Sequence, residues 1–136
     1  MKVNELMIYD WVYYGGKEQM PCRVISISRN SIRFDNGTPQ DWMSDVKNFT
    51  PIPLTAEILE KIWFVRFYVN YVNYWKMQVD NVYIELRPTE GNMAIWLDYD
   101  KDNDGIYANY ILPYPDNLHQ LQHALRLCNI EKEIEL

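Results

Sequence analysis

The chain has 136 residues and a mass of 16.4 kDa, which suits one compact domain or two small lobes. Hydrophobic residues make up 48% and charged residues 24%, so the composition is that of a globular protein and excludes overall disorder. Nineteen acidic residues against thirteen basic ones give a net charge of −6, which argues against general binding to nucleic acid or to an anionic membrane.

The N-terminal sequence and the cysteines indicate a cytoplasmic protein. The opening MKVNELMIYD contains Glu5 and Asp10 and has no apolar run of signal-peptide length. No window of 18 apolar residues predicts a transmembrane helix, so we expect no membrane contact. Cys22 and Cys128 do not form a CxxC pair, and we expect two reduced, largely buried thiols.

Residues 1–54 are predicted to form a small SH3-like β-barrel lobe. Short apolar or aromatic runs are each followed by turn-forming residues: 11–14 by Gly15-Gly16, 21–28 by Arg29-Asn30, and 31–35 by Asn36-Gly37. Trp42 and Phe49 complete the set. Four or five short strands separated by turns are typical of such a barrel.

Residues 55–136 are predicted to form a second lobe, in which an antiparallel sheet lies between two helices. Residues 50–54, with two prolines, read as a linker, and Thr55 is placed to cap a short helix with Ile58, Leu59 and Ile62 on one face. Between 63 and 80, eight of nine odd positions are apolar against four of nine even ones, which favours a β-hairpin turning near 70–73. The alternative is a helix through Phe64, Phe67, Tyr71 and Tyr74.

Three more strands and a second helix follow. Strands are predicted at 82–87, 93–99 and 106–112. Asp116 or Asn117 would cap the helix, whose apolar stripe is Leu118, Leu121, Leu125 and Cys128. Alternation at 131–136 predicts a charged edge strand. Together these elements predict an α+β fold: a small SH3-like barrel followed by an antiparallel sheet with two helices.

Two motifs resemble metal sites. Asp100, Asp102 and Asp104, followed by Gly105, match the first half of a calcium loop, but Ile111 stands where its closing Glu should be. An acidic hairpin tip is therefore favoured over a weak divalent-cation site. His119 and His123 lie four apart on the second helix without an HExxH motif, and we expect them to be solvated or at a partner interface.

We therefore predict no catalytic residue, metal or cofactor. The chain contains no GxSxG, Walker or GxGxxG motif. An enzyme or small-ligand binder with a pocket between the lobes is the weakest of the alternatives.

The aromatic content is the most informative feature. Five Trp, eleven Tyr and four Phe give 15% aromatic residues. If the strands alternate, not all of the sheet tyrosines can be interior: Tyr68, Tyr74, Tyr83, Tyr99, Tyr107 and Tyr110. They either line a half-buried sheet with their hydroxyls in water or form a protein interface, where Tyr and Trp are enriched.

The charge is divided unevenly between the predicted lobes. Residues 1–54 contain six basic and six acidic residues, whereas residues 55–136 contain seven basic and thirteen acidic residues. Any nucleic-acid contact is therefore expected on the first lobe, where small β-barrels use basic and aromatic side chains. The candidates are Lys17, Arg23, Arg29 and Arg33, with Trp11 or Trp42.

Three segments carry a resemblance. Residues 1–6 with Asp10-Trp-Val12, the junction Pro51-Ile-Pro-Leu-Thr-Ala-Glu-Ile-Leu-Glu-Lys61, and the tail His119-Gln-Leu-Gln-His-Ala-Leu125 resemble a family of small uncharacterised proteins. These come from prophage-like and mobile elements of gut Bacteroidales. In that family a Gly commonly precedes the Asp or Asn, where this chain has Tyr9. The resemblance implies a cytoplasmic accessory protein of a mobile element and brings no activity or cofactor.

The leading hypothesis is a non-enzymatic protein that acts through protein–protein contacts, with an unidentified protein or a second copy of itself as partner. Binding of nucleic acid through the first lobe is the alternative.

Overall fold

The computed structural model describes residues 1–38, 42–97, 110–130 and 132–136. It contains two five-stranded antiparallel sheets, two α-helices and the short 3-10 turns Val3–Glu5 and Val46–Asn48. The predicted α+β class is confirmed. No helix in these described ranges has the length and apolar character needed to cross a membrane.

The chain divides into two compact units. Unit 1 comprises Met1–Pro53 and Asp116–His123, and unit 2 comprises Leu54–Pro115 and Ala124–Leu136. The predicted lobes were contiguous, with a boundary after residue 54. In the structure, unit 1 also takes up a segment that lies more than sixty residues downstream of that boundary.

The sheet of unit 1 has the strand order β4-β3-β2-β1-β5. Its strands are β1 (Trp11–Tyr14), β2 (Met20–Ile27), β3 (Ser31–Asp35), β4 (Trp42–Asp45) and β5 (Phe49–Pro51). Buried residues alternate with more exposed ones in β3 and in the first half of β2, and the register of β2 shifts between Val24 and Ser26. The core residues of unit 1 are Leu6, Val12, Cys22, Val24, Ile32, Phe34 and Phe49. Among the described residues the edge strands β4 and β5 do not pair with each other, so a closed barrel is not found. The SH3-like assignment stays a prediction.

The first turn of unit 1 depends on glycine. Gly15 has a φ of +103°, and a Cβ at this position would lie 2.9 Å from the carbonyl oxygen of Glu18. A side chain would therefore meet both an unfavourable backbone conformation and a steric contact. This explains why the turn predicted at Gly15-Gly16 forms where it does.

The sheet of unit 2 has the strand order β10-β9-β8-β7-β6. Its strands are β6 (Val65–Val69), β7 (Val72–Val79), β8 (Val82–Arg87), β9 (Asn92–Leu97) and β10 (Tyr110–Pro113). One face is buried and carries Trp75, Met77, Ile84, Leu86, Met93 and Ile95. The hairpin predicted for residues 63–80 is confirmed, and the helical alternative is wrong because β6 and β7 pair in register from Val65↔Lys76 to Val69↔Val72.

The structure contains both predicted α-helices. Helix α1 (Ala56–Lys61) begins where the Thr55 hydroxyl accepts a hydrogen bond from the Ile58 amide at 3.3 Å. Helix α2 (Leu118–Leu127) buries Leu118, Leu121 and Leu125, which confirms three residues of the predicted stripe.

The predicted edge strand at 131–136 is wrong for the part the structure describes, because residues 132–136 contain no strand. Ile134 is buried, but the segment has no place in the sheet of unit 2 as the described strands define it. In this segment, charged and apolar residues alternate and an apolar side chain is buried, but no strand forms.

Candidate functional site

A buried carboxylate pairs with a histidine of α2 in unit 1. Asp10 is fully buried, accepts a hydrogen bond from the Met7 amide at 2.7 Å, and lies 2.7 Å from Nε2 of His123. Gln122 completes the contact, because it accepts from the Trp11 amide at 2.9 Å and donates to the Tyr9 carbonyl at 3.0 Å. These bonds fix the segment before β1 against the helix.

His119 lies one turn before His123, and their ring centroids are 5.7 Å apart. Its exposure is only 4%, so the expectation of a solvated histidine is wrong. Nδ1 of His119 has no hydrogen-bond partner among the described residues. Burial lowers the pKa of His119, an effect that Asp10 opposes and His123 reinforces.

This cluster is best described as structural. Within the described ranges no three His, Cys, Asp or Glu side chains converge to hold a metal ion. Asp10 has no exposed surface from which to meet a substrate. The sequence identified the His119 and His123 pair but not its partner, because Asp10 lies 113 residues before His123 and no local pattern links the two.

The predicted nucleic-acid residues are spread over unit 1. Register pairs Trp11 with Arg23, so the two share the outer face of the sheet. Arg23 also pairs with Asp35, and Arg33, two residues before Asp35 on β3, lies on the same face. The Arg23 guanidinium lies 5.7 Å from the Tyr9 ring centroid and 5.9 Å from that of Trp11.

The other three predicted residues do not join this group. Trp42 pairs with Phe34, a core residue, and stacks on it, which assigns Trp42 to the opposite face from Arg23. Lys17 and Arg29 lie in the turns at opposite ends of β2.

The open face of the unit 2 sheet carries aromatic rings in pairs. Phe67 stacks on Tyr74 at 5.2 Å and Tyr83 on Trp96 at 6.1 Å, while the Lys76 ammonium lies 4.5 Å from the Phe67 centroid. A groove of about 440 Å³ follows this face and is lined in part by Phe67, Lys76 and Tyr83. The described tyrosines are half-buried or exposed, and those on this face, Tyr74 and Tyr83, are half-buried.

The Tyr74 hydroxyl donates to a Glu90 carboxylate oxygen at 3.1 Å. Loss of water around the hydroxyl and this hydrogen bond raise the pKa of Tyr74. The ring is thereby held beside the turn that precedes β9.

Several exposed apolar residues of unit 2 lie on or beside its edge strand β6. We call this surface the β6 aromatic edge, which consists of Trp63, Val65, Tyr68, Val69 and Tyr71. Trp63 is 74% exposed, Tyr68 61% and Tyr71 90%. Such a cluster is unusual on a protein surface, where large apolar residues are normally scattered singly.

Two of these aromatic residues adopt the left-handed backbone conformation. Trp63 has a φ of +77° at the end of α1, where the Phe64 amide donates to the Leu59 carbonyl in a Schellman-type cap. Tyr71 has a φ of +66° and, with Asn70 at +51°, forms the two-residue turn between β6 and β7. Glycine is the favoured residue at both positions.

Comparison with known proteins gives no match: no protein-family model, curated protein or solved structure corresponds to this chain. The calcium-like motif of Asp100, Asp102 and Asp104 lies outside the described residues.

Proposed function

We propose that this chain is a non-enzymatic, cytoplasmic accessory protein that acts by binding another protein molecule at the β6 aromatic edge. An extended polypeptide strand is the occupant that fits, since an open sheet edge binds such a strand through main-chain hydrogen bonds. The resemblance of the chain ends and junction extends the proposal to an accessory protein of a mobile element.

The observation that carries this proposal is the exposure of aromatic residues at left-handed positions. Such a conformation costs a non-glycine residue about 1–2 kcal/mol. Elsewhere in unit 2 the described left-handed positions hold Asp80, Gly91 and Asn129, residue types that tolerate the conformation. Trp63 and Tyr71 therefore lower stability and leave their rings in water, which is the pattern of residues retained for binding.

Energetics support the same surface. Burial of one exposed aromatic side chain in a partner contributes about 1.5–3 kcal/mol. Tyr and Trp are also the side chains most enriched among residues that dominate binding energy. Three such rings on one edge, Trp63, Tyr68 and Tyr71, suffice for a specific contact.

Photo-crosslinking in the native cells tests the proposal. With p-benzoylphenylalanine in place of Tyr71, irradiation is expected to give a discrete protein adduct, and Trp63→Gly should weaken it. Tyr110 supplies the matched control, because it is an exposed tyrosine on β10 at the opposite edge of the same sheet. No adduct from position 71, or equal adducts from positions 71 and 110, would contradict the proposal.

Nucleic-acid binding by unit 1 is the second candidate, and the position of the Arg23 guanidinium, 5.7 Å from the Tyr9 ring centroid and 5.9 Å from that of Trp11, favours it. A guanidinium beside aromatic rings is suited to stacking with single-stranded bases. A gel shift with single-stranded DNA should then weaken as salt rises, and Arg23→Gln should weaken it further. Absence of a shift at low salt ends this candidate.

A further inference from the structure

In the part of the chain that the structure describes, the edge of β6 has few of the features by which proteins protect an open sheet edge. Prolines, charges, bulges and covering segments commonly prevent edge-to-edge pairing. Strand β5 ends with Pro51 and β10 with Pro113, whereas β6 reads Val-Arg-Phe-Tyr-Val, with one charge and no proline. Among the described residues β6 pairs only with β7.

The turn at Asn70 and Tyr71 determines which backbone groups face outward. In a two-residue hairpin the flanking residues, Val69 and Val72, exchange both hydrogen bonds, and the bonded pairs then alternate along the ladder. The amides and carbonyls of Arg66 and Tyr68 therefore point away from β7. They can bond to a further strand.

The sequence of β6 is self-complementary about Phe67. A two-fold axis through this residue sets Val65 opposite Val69 of a second copy and Arg66 opposite Tyr68. Arg66 and Tyr68 are the residues with outward backbone groups, so this register forms about four inter-strand hydrogen bonds. The same axis directs Trp63 towards Tyr71 of the second copy, since both lie four residues from Phe67.

We propose that the occupant of the β6 aromatic edge is a second copy of this chain, paired antiparallel through β6 to form a continuous ten-stranded sheet. This rests on the proposed function and identifies its partner. Trp, Tyr and Phe side chains bury about 150–250 Å² each. Six exposed rings, three from each copy, together with the paired strands reach about 1,000 Å², the lower limit for a stable interface.

Charge reversal across the axis tests the register. Two variants of the full chain, Val65→Lys/Val69→Lys and Val65→Lys/Val69→Glu, are compared by sedimentation equilibrium. The first sets like charges opposite each other twice and should weaken dimerisation at least about tenfold relative to the second. Residues 65 and 69 lie too far apart along one strand to pair within a single chain, so the difference reports the second copy.

A second test uses a variant that blocks the edge of β6. Tyr68→Pro removes an outward amide that β7 does not use and should abolish the dimer while circular dichroism shows a folded protein. Tyr68→Ala is the matched control, because it removes the ring but keeps the amide.

A monomeric wild-type chain, a dimer that survives Tyr68→Pro, or equal dimerisation of the two charge variants overturns the proposal. A monomer that still gives an adduct from position 71 with a different protein overturns the second copy alone and leaves the proposed function intact.

Discussion

Trp63 occupies the position after α1 at which glycine is the favoured residue. Replacing it should therefore change stability and partner binding in opposite directions. Trp63→Gly should raise the free energy of unfolding by about 0.5–1 kcal/mol, because relief of the left-handed conformation exceeds the added freedom of the unfolded chain. Urea denaturation followed by circular dichroism measures the change. The same variant should weaken partner binding.

Asn129 provides the matched control for this substitution. It has a φ of +58° after α2, where the Ile130 amide donates to the Leu125 carbonyl in an equivalent cap. Asparagine tolerates this conformation, so Asn129→Gly should change stability by less than about 0.5 kcal/mol. A loss of stability in Trp63→Gly would show that the Trp63 ring contributes to the fold.

His119 should make folding sensitive to mild acid. Its pKa is lowered by burial below the ordinary value of 6.5, so the unfolded chain binds a proton that the folded chain does not. Stability is therefore complete above pH 6.5 and falls as the pH decreases from 6.5 towards the folded pKa. His119→Gln should flatten this part of the stability curve.

Wild type and His119→Gln are compared by the slope of their stability against pH rather than by their absolute stability. At pH 8 the histidine is neutral in both states, so the remaining difference between variant and wild type measures packing alone. Both proteins contain Asp10, His123 and Glu5, whose charges act on His119, so the variant differs from the wild type at the imidazole alone. Parallel stability curves between pH 8 and pH 5 would refute the assignment.

At the scale of elements, helix α2 offers two leucines in opposite environments. Leu121 is fully buried, whereas Leu127 is 79% exposed on the same helix. Leu121→Ala should cost about 2–5 kcal/mol through lost burial and a cavity. Leu127→Ala should cost less than about 0.5 kcal/mol. Equal losses of stability in denaturant titrations would mean that the helix does not bury the predicted stripe.

The sequence predicted elements well where local pattern and burial agree. Period-two alternation identified the β6–β7 hairpin, and the spacing of Leu118, Leu121 and Leu125 identified the face of α2. The left-handed conformation of Tyr71 could not be predicted, because tyrosine is not a typical turn residue and only the structure shows its backbone angle. The edge strand predicted at 131–136 was wrong for the described residues 132–136, because alternation does not specify a pairing partner.

At the scale of the whole molecule, residues far apart in sequence come into contact, and the sequence alone does not predict which ones. Asp10 and His123 are joined by a hydrogen bond across 113 residues of sequence, and no local pattern encodes that separation. Unit 1 likewise combines Met1–Pro53 with the distant segment Asp116–His123. The β6 aromatic edge was partly predictable, because the aromatic excess indicated exposed rings but not which strand carries them.

Cys22 can report whether the molecule unfolds as a whole. Burial raises its pKa to about 12, whereas Cys128 is only half-buried, so in a Cys128→Ser variant at pH 8 Cys22 should react with a thiol reagent only from opened molecules. Helix α2 contributes residues to both units, and Leu125, which belongs to unit 2, is buried. Leu125→Ala should therefore increase Cys22 labelling, measured by mass spectrometry, at least about tenfold. An unchanged rate would mean that unit 1 opens independently of unit 2.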